Sequence, residues 1–311
     1  MSIVTSQVDA GTAAAGLTTR RRGLGFIRIL LSNGKATVGA VLLLIFCFVA
    51  AFPGVFTDDD PRADAYDRSM GLSSHHLLGT TAYGQDLWAQ VIYGTRQSLV
   101  IAAVAGALAT AISVIVGVAA GYLAGVADNV LSLLIDVFLV IPTFPLIIVI
   151  AAYKKSSLTV LIAVLVLTGW SYGARQMRVQ TMSLRNRDFL QAARARGERR
   201  LYVIVVEVLP TMTSLIVAQF LGAALYSVLA AAGLQFIGLG DPNALSWGTI
   251  LYFAENNEAL QTNQYAWAVA PGVCIALLGA AFALLNYAFD EVSNPALRPV
   301  RRRGRRGVAG S

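Results

Sequence analysis

Six long apolar blocks dominate the sequence and limit what the chain can fold into. Each is close to the roughly 20 apolar residues that an α-helix needs to cross the hydrocarbon core of a bilayer. The pattern predicts an all-α polytopic membrane protein with six transmembrane helices. The blocks cover residues 36–56, 98–124, 130–153, 158–175, 213–237 and 268–289.

Composition supports this fold class. Charged residues make up 13% of the 311 residues, about half of the ~25% typical of soluble domains. The mean hydropathy of +0.64 excludes both a water-soluble globule and a disordered chain. The two cysteines, Cys47 and Cys274, lie inside apolar blocks, which excludes a disulfide scaffold and a cysteine zinc site.

Basic residues are distributed unevenly and predict the topology. Residues 1–35, a loop around 175–210 and residues 290–311 together hold 19 of the 24 basic residues. Because basic flanks stay on the cytoplasmic side, both termini are expected in the cytoplasm. The alternative that residues 20–56 are a cleaved export signal is disfavoured, since the apolar run is long and no cleavage pattern follows it.

These observations divide the chain into five parts, with acidic residues concentrated in the outer segments. The aromatic and turn residues of those segments favour short interfacial helices or a docking surface. The parts are a basic cytoplasmic tail (1–35), a first transmembrane helix (36–56), an extracytoplasmic segment (57–97), a five-helix core (98–289) and a second basic tail (290–311). The core includes a cytoplasmic loop at 176–210 and an extracytoplasmic segment at 238–267.

The sequence lacks the motifs of an enzyme. None of the three lysines stands in the Gly-rich sequence that holds nucleotide phosphates, so the chain is not expected to hydrolyse ATP itself. His75 and His76 have no further ligand at metal-site spacing. We expect no catalytic residue, no metal and no directly bound cofactor.

The cytoplasmic loop contains a predicted short helix. Asp188 followed by Gln191 has the pattern of a capping box, and Gly197 is placed to end the helix. A second amphipathic helix, about 198–208, would lead into Leu209-Pro210 and the fifth span. Such a short helix with alanines and a rim of arginines, Arg194 and Arg196, suits insertion into a groove on a soluble partner. A basic helix held by anionic lipid remains the alternative.

Motifs along the chain resemble a known family. The series Gln191-Ala192-Ala193, Gly197 and Leu209-Pro210 resembles the EAA loop of permease subunits of binding-protein-dependent ABC importers, with Gln191 in place of the usual Glu. Further motifs in the right order resemble the second, C-type permease of the dipeptide/oligopeptide/nickel family. They lie at 76–80, 84–86, 93–99, 136–142, 238–240, 246–248 and 286–295.

The resemblance implies a division of labour in a bacterial inner membrane. A homologous permease would complete the pore, two cytoplasmic ATPases (or one fused ATPase) would bind the loop and use ATP, and an extracytoplasmic binding protein would deliver substrate. Membrane lipids would surround the helices, and no nucleic acid is implied. The family implies di- or oligopeptides as substrate, with oligosaccharides and nickel left open.

Two features inside the spans complete the predictions. Gly117, Gly121 and Gly125 form a stripe where another helix can approach closely. Asp136 is expected near the cytoplasmic interface, paired with a loop arginine. A stand-alone secondary transporter or channel would need further intramembrane charges or broken helices in duplicated halves, and neither is evident from the sequence.

Overall fold

The computed structural model describes residues 34–153 and 157–293. In this part of the chain the regular secondary structure is helical, the connecting segments such as 57–86 are turns and loops, and one isolated bridge joins Thr80 and Asp86. The predicted tails lie outside the described residues except for 34–35 and 290–293. The helices are α1 Gly34–Ala51, α2 Leu87–Leu123, α3 Gly125–Val140, α4 Thr143–Tyr153, α5 Leu158–Arg185, α6 Asp188–Ala195, α7 Arg200–Tyr202, α8 Leu209–Thr211, α9 Thr213–Phe236, α10 Trp247–Asn256 and α11 Tyr265–Ser293.

Five of these helices, α1, α2, α5, α9 and α11, are long and apolar enough to cross a membrane. They confirm an all-α polytopic membrane protein.

Two ends of the bundle can be distinguished by charge. We call the end that carries residues 176–212 the basic end, and the end that carries segments 57–86 and 237–264 the acidic end.

The third apolar block differs from the single helix that the sequence predicts. It forms two helices, α3 of 16 residues and α4 of 11, separated at Ile141 and Pro142. Ile141 is extended, with φ −63° and ψ 125°, because the proline ring disfavours a helical conformation in the residue before it. Neither helix alone has the length of a membrane span.

Together α3 and α4 still run from one end of the bundle to the other. Asp128, near the start of α3, binds Arg178 at the basic end, whereas Ile147 of α4 packs in a cluster with Ile101 and Leu161 near the acidic end. Five continuous helices are therefore long and apolar enough to cross the membrane, and the broken pair α3–α4 extends between the same two ends of the bundle.

The helix α2 begins at Leu87, well before the apolar block. Asp86 caps its N-terminus by accepting a hydrogen bond from the Ala89 N–H at 2.8 Å. At 1.5 Å per residue its 37 residues span about 55 Å, more than the ~30 Å hydrocarbon core. The first turns therefore lie outside the core, where the Trp247 indole N–H donates to the Val91 carbonyl at 3.0 Å.

A buried pair of polar side chains organises the acidic end. The Nδ1 atom of His76 lies 2.7 Å from Oδ2 of Asp86, and both side chains are nearly inaccessible to solvent. The ring of Tyr66 packs edge-on against His76, and its hydroxyl donates to Asp59 at 2.6 Å. This hydrogen bond to a carboxylate raises the pKa of Tyr66 above its ordinary value. The network ties segment 57–86 to the start of α2.

Replacing His76 by alanine is expected to destabilise the acidic end, because the Oδ2 atom of Asp86 would lose its partner while the carboxylate remains buried. The expected cost is about 1–3 kcal/mol, measured as a lower thermal midpoint of the purified complex. His75→Ala is the matched control, since His75 is exposed. Equal midpoints for the two variants would contradict a structural role for the pair.

Candidate coupling helix and membrane cavity

The predicted short helix is present as α6, but its N-terminus differs from the capping box that the sequence predicts. Arg187 is the N-cap residue, with φ −74° and ψ 146°, and no side chain caps the helix. Asp188 already belongs to the first turn, where its carboxylate interacts favourably with the helix dipole. The side-chain amide of Gln191 (Nε2) instead donates a hydrogen bond to the Asn186 carbonyl at 3.1 Å.

Gly197 ends α6 in the way the sequence indicates. It adopts φ +78°, which glycine reaches at no steric cost. Its N–H donates to the Arg194 carbonyl at 2.9 Å, and the Glu198 N–H donates to the Ala193 carbonyl at 3.3 Å. This pair of bonds is a Schellman motif.

The return path to the membrane is less regular than the single helix predicted at about 198–208. Helix α7 is followed by a π-helical turn, Val203–Val208, and then by α8, which contains Leu209 and Pro210. A proline within a helical run removes one donor and crowds the preceding turn. The wide π turn lies directly before Pro210 and is the local adjustment at this site.

One side of α6 is anchored in the bundle and the other is free. Leu190 and Ala193 are fully buried in a cluster that includes Tyr122 of α2 and Met212. The Arg194 guanidinium lies 5.0 Å from the centre of the Tyr122 ring, a cation–π contact. Asp188 and Arg194 are exposed as well, and we call the remaining exposed residues the free face: Phe189, Gln191, Ala192, Ala195 and Arg196.

The structure thus divides the residues that the sequence grouped as one site. Gln191, Ala192 and Arg196 lie on the free face, Arg196 with a long 3.8 Å ion pair to Glu198, whereas Ala193 and Arg194 contact the bundle. Sequence reasoning missed Leu190 as the anchor. The signal was its spacing of three residues from Ala193, which places both on one side of a helix.

The carboxylate that pairs with an arginine near the basic end is Asp128, not Asp136. The arginine is Arg178 of α5. Arg178 Nε lies 2.7 Å from Asp128 Oδ1 and Nη2 lies 3.2 Å from Oδ2, a bidentate geometry. Asp136 is exposed, and no ion pair within 4.0 Å joins it to any residue in 34–153 or 157–293. The ion pair predicted for Asp136 is therefore made by a carboxylate two turns earlier on α3.

We expect Arg178→Asp to destabilise the complex, because it would place a second carboxylate beside Asp128. A loss of about 1–3 kcal/mol is expected for leaving a partly buried partner unpaired, read as a lower thermal midpoint. The exchange Asp128→Arg with Arg178→Asp should recover part of the loss, and Asp136→Asn should change little. A midpoint after the exchange no higher than that of Arg178→Asp alone would argue against the pair.

The three glycines of the predicted stripe have two different roles. Gly117 and Gly121 face α5, where a Cβ on Gly121 would lie 2.6 Å from the Arg178 carbonyl oxygen. A Cβ on Gly117 would lie even closer to the Ala174 carbonyl oxygen, and 2.7 Å from Met177 Cβ. Gly125 instead has φ +65° and opens α3 with nothing packed against it.

A cavity of about 450 Å³ lies between the α3–α4 break, α5, α9 and α11. No charged residue lines it within the described chain. Its polar lining consists of hydroxyl and carboxamide side chains, and Phe138, Leu139 and Leu215 contribute apolar surface. The polar residues are Thr143, Thr168, Ser171, Tyr172, Gln176, Gln219, Tyr226 and Asn286.

A helical bundle with several membrane crossings, an internal polar cavity and a partly free basic helix defines a class of membrane transport components. Residues 113–299 match the family of binding-protein-dependent transport system inner membrane components. The chain belongs to this family and is a multi-pass inner-membrane permease component, not a hydrolase. The matched range includes α6 and the whole lining of the cavity.

Similar proteins match nearly the whole chain. The oligopeptide transport system permease protein OppC of Mycobacterium tuberculosis is 32% identical over 91% of this chain and 97% of its own length. A putative peptide transport system permease protein of Brucella abortus is 29% identical over 94% and 96%. The dipeptide transport system permease protein DppC of Alkalihalophilus pseudofirmus is 29% identical over 86% and 87%.

Proposed function

We propose that this chain is one permease subunit of an ATP-driven importer for di- and oligopeptides. A homologous permease completes the pathway, cytoplasmic ATPase subunits bind the free face of α6, and an extracytoplasmic binding protein docks at the acidic end. Three relatives named as peptide, oligopeptide or dipeptide permeases support peptides as the substrate. The observation that carries the coupling role is the division of α6 into an anchored side and a free face.

Contacts within the bundle offer a route from α6 to the cavity. Arg194 lies over the Tyr122 ring near the end of α2, and Leu190 belongs to the same buried cluster as Tyr122. Gly117 and Gly121 of α2 meet α5 at close range. Helix α5 in turn lines the cavity. A movement of α6 driven by the ATPases would therefore be passed through α2 to a wall of the cavity, provided that the bundle has two alternative packings.

The test is uptake by sealed vesicles that contain the purified complex with its ATPases and binding protein. We expect a labelled alanine tripeptide to enter only when ATP is supplied on the ATPase side. Uptake without the ATPases would instead indicate a secondary transporter or channel. ATP-dependent uptake of nickel or of an oligosaccharide, but not of peptide, would assign one of the other substrates that the resemblance left open.

A further inference from the structure

The cavity holds three carboxamide side chains from three different helices. Gln176 comes from α5, Gln219 from α9 and Asn286 from α11, and all three lie in the half of the bundle toward the basic end. The hydroxyl groups of Thr168 and Tyr226 lie 3.3 Å apart nearer the middle. The polar side chains are therefore distributed along the length of the cavity and are not clustered at one position.

Gln219 is the most informative of these residues. The residue is only 8% exposed, and its side chain makes no hydrogen bond with any residue in the described chain. Its carboxamide is not among the fully enclosed polar atoms that lack a partner, so it opens onto the cavity. Its carboxamide lies against Gly173, where a Cβ would overlap it. The missing side chain at Gly173 thus makes room for an amide that has no protein partner.

Asn286 has a related setting across the cavity. It is half-buried, and its Nδ2 lies 3.5 Å from the position that a Cβ on Gly222 would occupy. Neither Asn286 nor Gln176 makes a side-chain hydrogen bond within the described residues. Each carboxamide therefore keeps two N–H donors and one carbonyl acceptor available.

The chemistry of this lining indicates what it can bind. A peptide group offers one N–H donor and one carbonyl acceptor, which a carboxamide matches on both counts. Among the described residues, the lining contains no carboxylate, imidazole or thiolate, the ligands that nickel and similar ions require. The described lining residues also carry no fixed charge, so they would not favour positively over negatively charged side chains in the transported peptide. Its volume falls within the ~300–1,000 Å³ of small-molecule sites.

We propose that Gln219 and Asn286 form a subsite that binds the backbone amide groups of a peptide during its passage through the membrane. This inference rests on the proposed function. It adds that the permease itself contacts the cargo and that the contact is made to the backbone. Peptides with different side chains would then pass with similar ease.

The first test introduces a charge into the subsite. In vesicles with the complete complex, uptake is compared for alanine tripeptides with either lysine or glutamate at the central position. Gln219→Glu is expected to lower the uptake of the glutamate peptide relative to the lysine peptide by about tenfold, since like charges close together in a poorly solvated site repel. Gln180→Glu is the matched control, because Gln180 is exposed on α5 and lies outside the cavity. It should leave the ratio of the two uptake rates as in the wild type.

The ratio is an internal measure, so differences in protein yield do not affect it. If Gln219→Glu does not assemble, Asn286→Asp makes the same prediction from another helix. An unchanged ratio in an assembled variant of either residue overturns the subsite. Absence of any peptide uptake by the wild-type complex would instead overturn the proposed function, and the two failures are therefore distinguishable.

The second test asks whether the backbone amide is what the subsite binds. With the binding protein saturated by either peptide, the wild type should take up an alanine tripeptide several-fold faster than its N-methylated analogue, which lacks an amide donor. Gln219→Leu should reduce that difference. Equal uptake of the two peptides by the wild type would contradict backbone recognition, as would transport of an oligosaccharide that depends on Gln219.

Discussion

Replacing Gly197 by valine is expected to abolish ATP-driven uptake while the assembled complex continues to hydrolyse ATP. Gly197 has φ +78°, a conformation that a β-branched residue adopts only with strain. Relieving the strain would break the two hydrogen bonds that close α6 and change the direction in which the free face points. The measurement is the number of ATP molecules hydrolysed per peptide imported by reconstituted vesicles.

Asparagine at position 197 supplies the control, since it tolerates the left-handed conformation better than other residues with a side chain. Gly197→Asn should therefore keep most of the coupling that Gly197→Val loses. If the valine variant imports as many peptides per ATP as the wild type, the end of α6 has no part in coupling.

The second large effect is expected at the contact between α2 and α5. Gly121→Leu would place a Cβ 2.6 Å from the Arg178 carbonyl and 2.7 Å from Thr181 Cβ, so the two helices would have to separate. Overpacking a core typically costs about 1–3 kcal/mol, and here backbone, not a flexible side chain, is in the way. We expect little assembled complex after detergent extraction and a strongly lowered thermal midpoint for what remains.

Gly272 of α11 provides the comparison for this variant. It is also a helical glycine in a membrane span, but nothing lies within 4 Å of a Cβ built on it. Gly272→Leu should assemble at the wild-type level. Similar yields of the two leucine variants would show that the α2–α5 contact tolerates a side chain and that Gly121 is not a packing residue.

Local features of the structure were accessible from the sequence. The apolar blocks predicted the spans because a bilayer imposes both length and apolarity on a helix. The glycine at position 197 indicated where α6 ends, because few other residues adopt the positive φ found there. The sequence did not predict that α2 begins as early as Leu87. Its first turns are polar and aromatic, and a span is recognised in a sequence by a run of apolar residues.

Features that depend on the packing of distant helices were not accessible. Pro142 lies inside an apolar block, and the run of apolar residues alone did not show that the helix would break there. The pairing of Arg178 with Asp128 instead of Asp136 is set by how α3 lies on α5, across 50 positions of sequence. The carboxamides of the cavity come from three helices, and no spacing along the chain brings them together.

The central claim is that the free face of α6 meets the ATPase subunits. It is tested by cross-linking from a cysteine at position 192 in the complete purified complex, with Cys47 and Cys274 replaced by serine. We predict that Ala192→Cys forms a cross-link to an ATPase subunit, whereas Leu72→Cys, exposed at the acidic end, does not. Labelling of position 192 by a lipid-phase probe, with no cross-link to an ATPase, would contradict the account.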